Sequence, residues 1–184
     1  MSKQTIIALV GMPGAGKSSC VDHLAKRGWP KVYFGGVIVD EAVRRFGEAT
    51  EKSERIVREE LRAKEGMGAV AVRVIPKIDN LLKTSDTVIA DGLYSWSEYK
   101  ILRERYGDNL IVIAITSGRA IRHERLAART IRPLTEAEAT SRDYAEIENS
   151  EKGGPIANAD HFLVNDETVA EMLVKLDKIV DKLA

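Results

Sequence analysis

The feature that most constrains the fold of this chain is a glycine-rich octapeptide that lies between an apolar run and a helical stretch. The octapeptide, G-M-P-G-A-G-K-S, occupies residues 11–18. It follows Thr5–Val10 (TIIALV), a run that is too short for a helix and has the apolar character of a strand buried on both faces. Residues 17–27 then have a helical pattern that ends at Gly28 and Pro30. The sequence therefore predicts a strand, a tight turn and a helix in succession.

The spacing within this turn, GxxxxGK[ST], predicts a phosphate-binding loop. Its glycines allow successive backbone N–H groups to point at a phosphate, and the helix that follows adds the positive end of its dipole. In such loops the lysine, here Lys17, reaches the β- and γ-phosphates, and the next hydroxyl, Ser18, binds Mg²⁺. The residues expected to bind the phosphates are Gly11, Pro13, Gly14, Ala15, Gly16, Lys17, Ser18 and Ser19.

Short apolar runs alternate with charged helical stretches along the rest of the chain. Further strands are expected at residues 31–34, 86–90, 110–115 and 161–164. Helices are expected at residues 37–47, 53–65, 96–106, 119–130, 136–149 and 168–183. This alternation predicts an α/β fold in which helices cover a parallel sheet. Residues 69–75 (AVAVRVI) are ambiguous, because their valines favour a strand but Pro76 would end a central strand poorly.

Composition excludes several classes of protein. The 184 residues suit one domain, 1–184, and the 28 Lys and Arg balance the 28 Asp and Glu, so the basic excess of a general nucleic-acid binder is missing. Cys20 is the only cysteine, which excludes an internal disulfide and suits a reducing cytosol. The longest apolar run, residues 110–115, is far shorter than the roughly 20 residues that cross a bilayer. We expect a cytoplasmic monomer or homodimer with no nucleic-acid or membrane partner.

A second acidic anchor is expected at Asp91, directly after the predicted strand at residues 86–90. A carboxylate at that strand end can hold Mg²⁺ or its water shell, although a turn-capping aspartate is the alternative. Gly92 follows, where hydrolytic ATPases commonly place a glutamate that orients water, so transfer to another substrate is favoured over hydrolysis. The base-reading motif of GTPases and the signature of transport ATPases are both missing from the sequence.

Five arginines recur at helical spacing after the fourth predicted strand. They are Arg119, Arg122, Arg125, Arg129 and Arg132. The spacing places most of them along one helix face, where cations could close over a nucleotide and neutralise a phosphoryl group in transfer. We expect Arg125 and Arg129 to stabilise that charge, next to a lid turn at residues 130–135. The alternative is a solvated helix face that pairs with the acidic segment at residues 134–151.

Other candidates concern the acceptor. Four arginines lie among as many acids, so a salt-bridged surface is favoured over phosphate binding for Arg44, Arg45, Arg58 and Arg62. Tyr94 and Trp96 follow Asp91 closely and could line an acceptor pocket, but a packing role fits them equally well.

Several segments together resemble the adenylate-kinase-like nucleotide kinases. They are G-M-P-G-A-G-K-S, V-I-A-D-G, R-H-E-R-L-A-A-R and A-D-H-F-L-V-N-D. The segment L-R-A-K-E-G-M-G-A-V-A at residues 61–71 resembles the dephospho-CoA kinase-related nucleoside monophosphate kinases in particular. The resemblance implies ATP as the donor, a small nucleotide-like acceptor and a five-stranded parallel sheet. It also implies an acceptor-binding insertion at about 35–80, a lid at about 130–140, and a helix at residues 69–75.

The chain departs from this family on the acceptor side. Members often carry an arginine where this chain has Val39, and another where it has Tyr94. The sequence therefore leaves open a nucleotide-binding regulatory ATPase without kinase activity, and also a dephospho-CoA kinase. For a hydroxyl acceptor, Asp40 or Asp91 could serve as the base, and the sequence does not choose between them.

Overall fold

Five short apolar segments form one parallel sheet in the computed structural model, which describes residues 4–183. The strands are β1 (Thr5–Val10), β2 (Lys31–Tyr33), β3 (Thr87–Asp91), β4 (Leu110–Thr116) and β5 (His161–Val164). Their order across the sheet is β2-β3-β1-β4-β5, and every pairing is parallel. The predicted α/β fold and the five-stranded parallel sheet are confirmed.

The helices cover both faces of the sheet. Within the described residues they are α1 (Lys17–Ala25), α2 (Gly35–Phe46), α3 (Glu51–Glu65), α4 (Ala69–Leu81), α5 (Trp96–Tyr106), α6 (Arg119–Ala127), α7 (Glu136–Glu148), α8 (Gly153–Ala157) and α9 (Val169–Val180), with a 3₁₀ turn at Gly107–Asn109. Alternate residues of β1 divide between two cores, since Ile6 packs with α2–α5 and Ile7 packs with α1 and α9. This division produces the three layers of the fold.

Residues 69–75 form the first half of α4, so the strand favoured by their valines is wrong and the helix implied by the family resemblance is correct. Val70, Val74 and Ile78 are buried at a spacing of four, which is the period of one helix face. Val72 is 55% exposed. Pro76 lies four residues later and has no N–H to donate to the carbonyl of Val72. The helical hydrogen bond that is missing for this reason therefore lies on the solvent side of α4.

The order of strands places the carboxyl ends of β1 and β3 side by side. In their register Leu9 pairs with Asp91. The loop that leaves β1 therefore begins next to the predicted acidic anchor. The chain runs from β1 to β2 on one side of β1 and later crosses from β3 to β4 on its other side. Because the direction of the connections reverses here, a crevice opens at this edge, where open α/β sheets commonly bind ligands.

The core should be most sensitive at the centre of the sheet. Ile89 of β3 is fully buried, whereas Ile147 of α7 is 53% exposed. We expect Ile89→Ala to lower the free energy of unfolding by about 2–5 kcal/mol, through lost burial and a residual cavity. The matched Ile147→Ala should change it by less than about 0.5 kcal/mol. Urea unfolding of both variants tests this, and equal losses would contradict the assigned core.

Candidate functional site

The predicted phosphate loop joins β1 to α1 and depends on glycine at two positions. Gly14 and Gly16 have φ angles of 81° and 103°, a region that other residues rarely adopt. A Cβ on Gly14 would lie 2.6 Å from the carbonyl oxygen of Arg122, and one on Gly16 would lie 2.5 Å from Nδ2 of Asn165. Backbone and neighbouring side chains therefore approach the loop too closely for any larger residue.

Two side chains from distant parts of the chain hold this loop. Arg122 of α6 donates from Nη1 to the carbonyl of Pro13 at 3.0 Å. Asn165, which follows β5 and is buried, donates from Nδ2 to the carbonyl of Ala15 at 2.8 Å. The two bonds satisfy loop carbonyls from outside the loop, and within it the N–H of Ala15 donates to the carbonyl of Met12 at 3.1 Å. Sequence patterns revealed neither contact.

Arg122 belongs to a buried polar cluster between α6 and α7. It donates two hydrogen bonds to Asp143, at 2.8 and 2.7 Å, and His123 lies 3.0 Å from the same carboxylate. Burial raises the pKa of Asp143, but hydrogen bonds from Arg122 and His123 outweigh this and hold it below its ordinary value. Arg119 pairs with Glu136 at 3.0 Å. For Arg119 and Arg122, pairing with the acidic segment is therefore the correct interpretation.

Arg125 and Arg129 behave differently from those two arginines, because both line the cleft at the phosphate loop. Arg125 donates to the backbone carbonyls of Asn165 at 2.9 Å and Glu167 at 3.2 Å. Its guanidinium is therefore tied to the segment between β5 and α9. Helix α6 ends at Ala127, earlier than predicted, so Arg129 lies beyond the helix.

Lys17 and Asp91 meet at the mouth of the loop. The Lys17 ammonium donates to Oδ1 of Asp91, and both side chains are largely shielded from solvent. Ser18, the predicted magnesium ligand, is exposed within the same cleft. Oxygen ligands of this kind suit Mg²⁺, which commonly takes one or two protein ligands and keeps several waters. No group of three or more metal-ligating side chains occurs among residues 4–183.

Lys152 adds a cation to the site that sequence reasoning overlooked. It is only 4% exposed, pairs with Glu146 at 2.7 Å and lies 4.6 Å from the ring centre of Tyr94. Burial lowers the pKa of Lys152. Lys152 follows α7 in a segment that is rich in acidic residues. No local pattern distinguishes this lysine, because its burial depends on how the segment folds back to the cleft.

The cleft at the phosphate loop adjoins a second cavity. The first has a volume of about 470 Å³ and the second about 230 Å³. Four side chains line both: Tyr33, Tyr94, Arg142 and Glu146. The two cavities therefore share a boundary of two aromatic rings and one pair of opposite charges.

The second cavity is lined mainly by α2, α3 and α7. Arg58 and Arg62 of α3 face it, together with Glu54 and Glu98. The prediction of salt-bridged surface is correct for Arg44, which pairs with Glu41, and for Arg45, which pairs with Glu60. It does not describe Arg58 and Arg62. Tyr94 lines both cavities, whereas Trp96 stacks on Tyr99 with ring centres 5.0 Å apart.

Asp40, one of the two candidate bases, lies away from both cavities. It pairs with Lys77 at 3.1 Å and lines a separate groove beside α2. Of the two carboxylates considered from the sequence, Asp91 alone lines the phosphate-loop cleft.

Comparison with known proteins shows the family. A profile described as an AAA domain matches residues 7–149. A UPF0200 protein of Thermococcus gammatolerans is 35% identical over 181 residues, which cover 97% of this chain and 95% of the relative. The chain belongs to the UPF0200 family and contains an AAA domain. Lys152 and Asn165 lie beyond residue 149, where the matched domain ends, whereas the UPF0200 relative covers 97% of the chain.

Solved structures with the same fold include small P-loop kinases. Shikimate kinase of Bacteroides thetaiotaomicron superposes on this chain with a TM-score of 0.60 at 14% identity. The superposition covers 96% of this chain and 98% of the kinase. A gluconokinase of Sinorhizobium meliloti 1021 gives 0.57 at 16% identity, covering 99% and 96%. At these identities the likeness concerns the fold. The P-loop kinase-like NTPase fold that the sequence predicts is therefore confirmed.

No helix within residues 4–183 combines the length and apolar character that crossing a bilayer requires.

The carboxyl group of Glu98, which lines the second cavity, has a pKa raised to about 6. It is 2% exposed and accepts hydrogen bonds from the N–H groups of Tyr94, at 2.8 Å, and Ser95, at 3.0 Å. Burial raises the pKa of Glu98 to about 6, despite those two hydrogen bonds. A raised carboxyl pKa contributes stability that is present below about pH 4.5 and is lost as pH rises through 6.

We expect Glu98→Gln to remove this pH dependence, because glutamine keeps the acceptor oxygen but does not ionise. Between pH 4.5 and 6.5 the free energy of unfolding of the variant should gain about 1.5 kcal/mol relative to the unaltered protein. Urea unfolding across that range measures it. Glu104→Gln, an exposed glutamate of the same helix, is the control and should show a constant difference. A constant difference for Glu98→Gln as well would contradict the assignment.

Proposed function

We propose that this UPF0200 protein is a Mg²⁺–ATP-dependent phosphotransferase that acts on a small acceptor. The observation that carries the proposal is the pair of adjoining cavities, one at the phosphate loop and one lined by α2, α3 and α7. A hydrolytic ATPase needs only the first cavity and a positioned water. A kinase needs a second chamber whose occupant meets the terminal phosphate at the shared boundary.

On the donor side, the loop N–H groups and Lys17 would bind the phosphates of ATP. Arg125 and Arg129 would neutralise charge on the phosphoryl group in transfer, since both line the same cleft. Ser18 and Asp91 would hold Mg²⁺, which when bound neutralises phosphate charge. The Lys17 ammonium, now paired with Asp91, would then turn toward the phosphates.

Transfer requires little covalent chemistry from the protein. An oxygen of the acceptor, from a hydroxyl or a phosphate group, forms a bond to the γ-phosphorus while the bond to the β–γ bridging oxygen breaks, and ADP leaves. Asp91 is our candidate to take the hydroxyl proton, because Asp40 pairs with Lys77 in a separate groove. Closing the cleft around these groups would exclude water and favour transfer over hydrolysis.

The proposal also includes an acceptor region, a lid and a class of acceptor. An acceptor region at about 35–80 would comprise α2, α3 and most of α4, and a lid at about 130–140 would lie between α6 and α7. The acceptor would be a nucleotide or a related metabolite, with dephospho-CoA as one variant. The kinase folds with which this chain superposes make hydroxy acids further candidates.

The experiment is to measure ADP formation from Mg–ATP with a panel of acceptors. The panel contains nucleoside monophosphates, nucleosides, dephospho-CoA, shikimate and gluconate. We expect one acceptor class to stimulate ADP formation and to yield a phosphorylated product detectable by mass spectrometry.

Lys17→Ala should lower the stimulated rate on the order of 100-fold or more, because a cation at the transferring phosphate is lost. Lys26→Ala, which removes an exposed lysine just after α1, should leave the rate within about twofold. Full activity of Lys17→Ala would refute the site. Slow ADP formation that no acceptor stimulates, with tight ATP binding, would instead support a nucleotide-binding regulatory ATPase.

A further inference from the structure

The second cavity contains more hydrogen-bond donors than the protein itself satisfies. Arg58, Arg62 and Arg142 all line it, and each guanidinium carries five N–H donors. Among the described residues, Arg142 has a single ion pair, a distant one to Glu146 at 3.8 Å. Arg58 is exposed and forms no ion pair or side-chain hydrogen bond within residues 4–183. Most of these donors are therefore available to a ligand.

Arg62 is the most informative of the three. Its Nε is buried and finds no hydrogen-bond partner in the described part of the chain. Its one hydrogen bond to another residue of 4–183, from Nη1 to the carbonyl of Asn149, is long at 3.5 Å. Burial lowers the pKa of Arg62, since the charged form is deprived of water without an ion pair to replace it. A buried, unpartnered guanidinium N–H costs free energy unless something binds it.

The acids of the cavity do not fill this need, because they have other partners. Glu98 accepts from two backbone N–H groups. Glu146 pairs with the buried Lys152. Glu54 is the remaining acid, against three arginines. The arginine N–H donors that remain without acceptors in this cavity therefore suit an anion with several acceptor oxygens.

We propose that Arg58, Arg62 and Arg142 form a binding subsite for an oxyanion, a carboxylate or a phosphate, carried by the acceptor. Planar guanidinium groups bind both oxyanions in the same paired geometry. This inference rests on the proposed function, since it places the subsite across the shared boundary from the phosphate loop. The subsite draws on α3 and α7 and so does not require arginines at Val39 or Tyr94.

The volume of the cavity restricts the acceptor further. At about 230 Å³ it lies below the usual range of roughly 300–1,000 Å³ for ligand pockets. The acceptor is therefore small, and it carries its oxyanion on one side and a hydroxyl on the other, as in a hydroxy acid or a sugar phosphate. The hydroxyl reaches the phosphate-loop cleft between Tyr33 and Tyr94, which line both cavities.

The binding test monitors the arginine Nε–H signals of the protein by nitrogen–proton NMR. Mg–ADP is kept saturating so that the phosphate loop is occupied, and the signals are assigned with Arg58→Lys and Arg62→Lys. Sodium phosphate and sodium acetate are titrated separately against sodium chloride at equal ionic strength. We expect a saturable shift of the Arg62 signal with at least one oxyanion and none with chloride. The comparison of phosphate with acetate identifies which oxyanion the subsite prefers.

Variants on one helix provide the matched control. Arg62→Gln and Arg58→Gln should each weaken oxyanion binding at least tenfold, whereas Arg55→Gln should not change it. Arg55 is exposed on α3 and lines neither cavity, so it controls for the loss of one positive charge. Arg58 is itself exposed, so its variant remains informative even if Arg62→Gln fails to fold.

Activity distinguishes this inference from the proposed function. With matched acceptors such as glycerol 3-phosphate and glycerol, or gluconate and glucose, the charged member should be phosphorylated, and Arg62→Gln should raise its KM tenfold or more. Phosphorylation of the neutral members alone, without a shift at Arg62, would overturn the subsite and leave the kinase intact. A shift at Arg62 without phosphorylation of any acceptor would uphold the subsite and refute the kinase. Absence of any saturable shift would overturn the subsite.

Discussion

The site depends on how closely the rest of the fold approaches the phosphate loop. The carbonyl of Arg122 would collide with any side chain at Gly14, and the amide of Asn165 would collide with one at Gly16. Those neighbours come from α6 and from the end of β5, more than 100 residues along the chain. The shape of the loop is therefore a tertiary property, although the glycines that permit it are local.

This arrangement assigns different tasks to similar residues. Arg122 is committed to Pro13 and Asp143, so it stabilises the loop and the α6–α7 junction and is not free to bind a ligand. Asp143 in turn anchors α7. Its chain neighbour Arg142, and Glu146 one turn later, both reach the boundary between the two cavities. One buried ion pair thus links the phosphate loop to α7, the helix whose Arg142 and Glu146 line both cavities.

Local patterns predicted the strands, the phosphate loop and Asp91, because those features depend on short apolar runs, glycine spacing and strand ends. They failed for features that tertiary packing determines. The valines of residues 69–75 favour a strand by composition, yet the spacing of Val70, Val74 and Ile78 is helical. The strand order, the contact of Asn165 with Ala15 and the burial of Lys152 depend on long-range packing that no local pattern encodes.

The buried charges around the two cavities are hard to explain by stability alone. Exposed ion pairs contribute little, and a buried charge costs free energy unless its partners replace the lost water. Lys152 and Glu98 are almost fully buried, and the Nε of Arg62 is buried with no partner in the part of the chain that the structure describes, yet all three border the cavities. A charged ligand that binds among these three residues would explain why they are charged and buried. Its contacts would then offset on binding the free energy that their burial costs in folding.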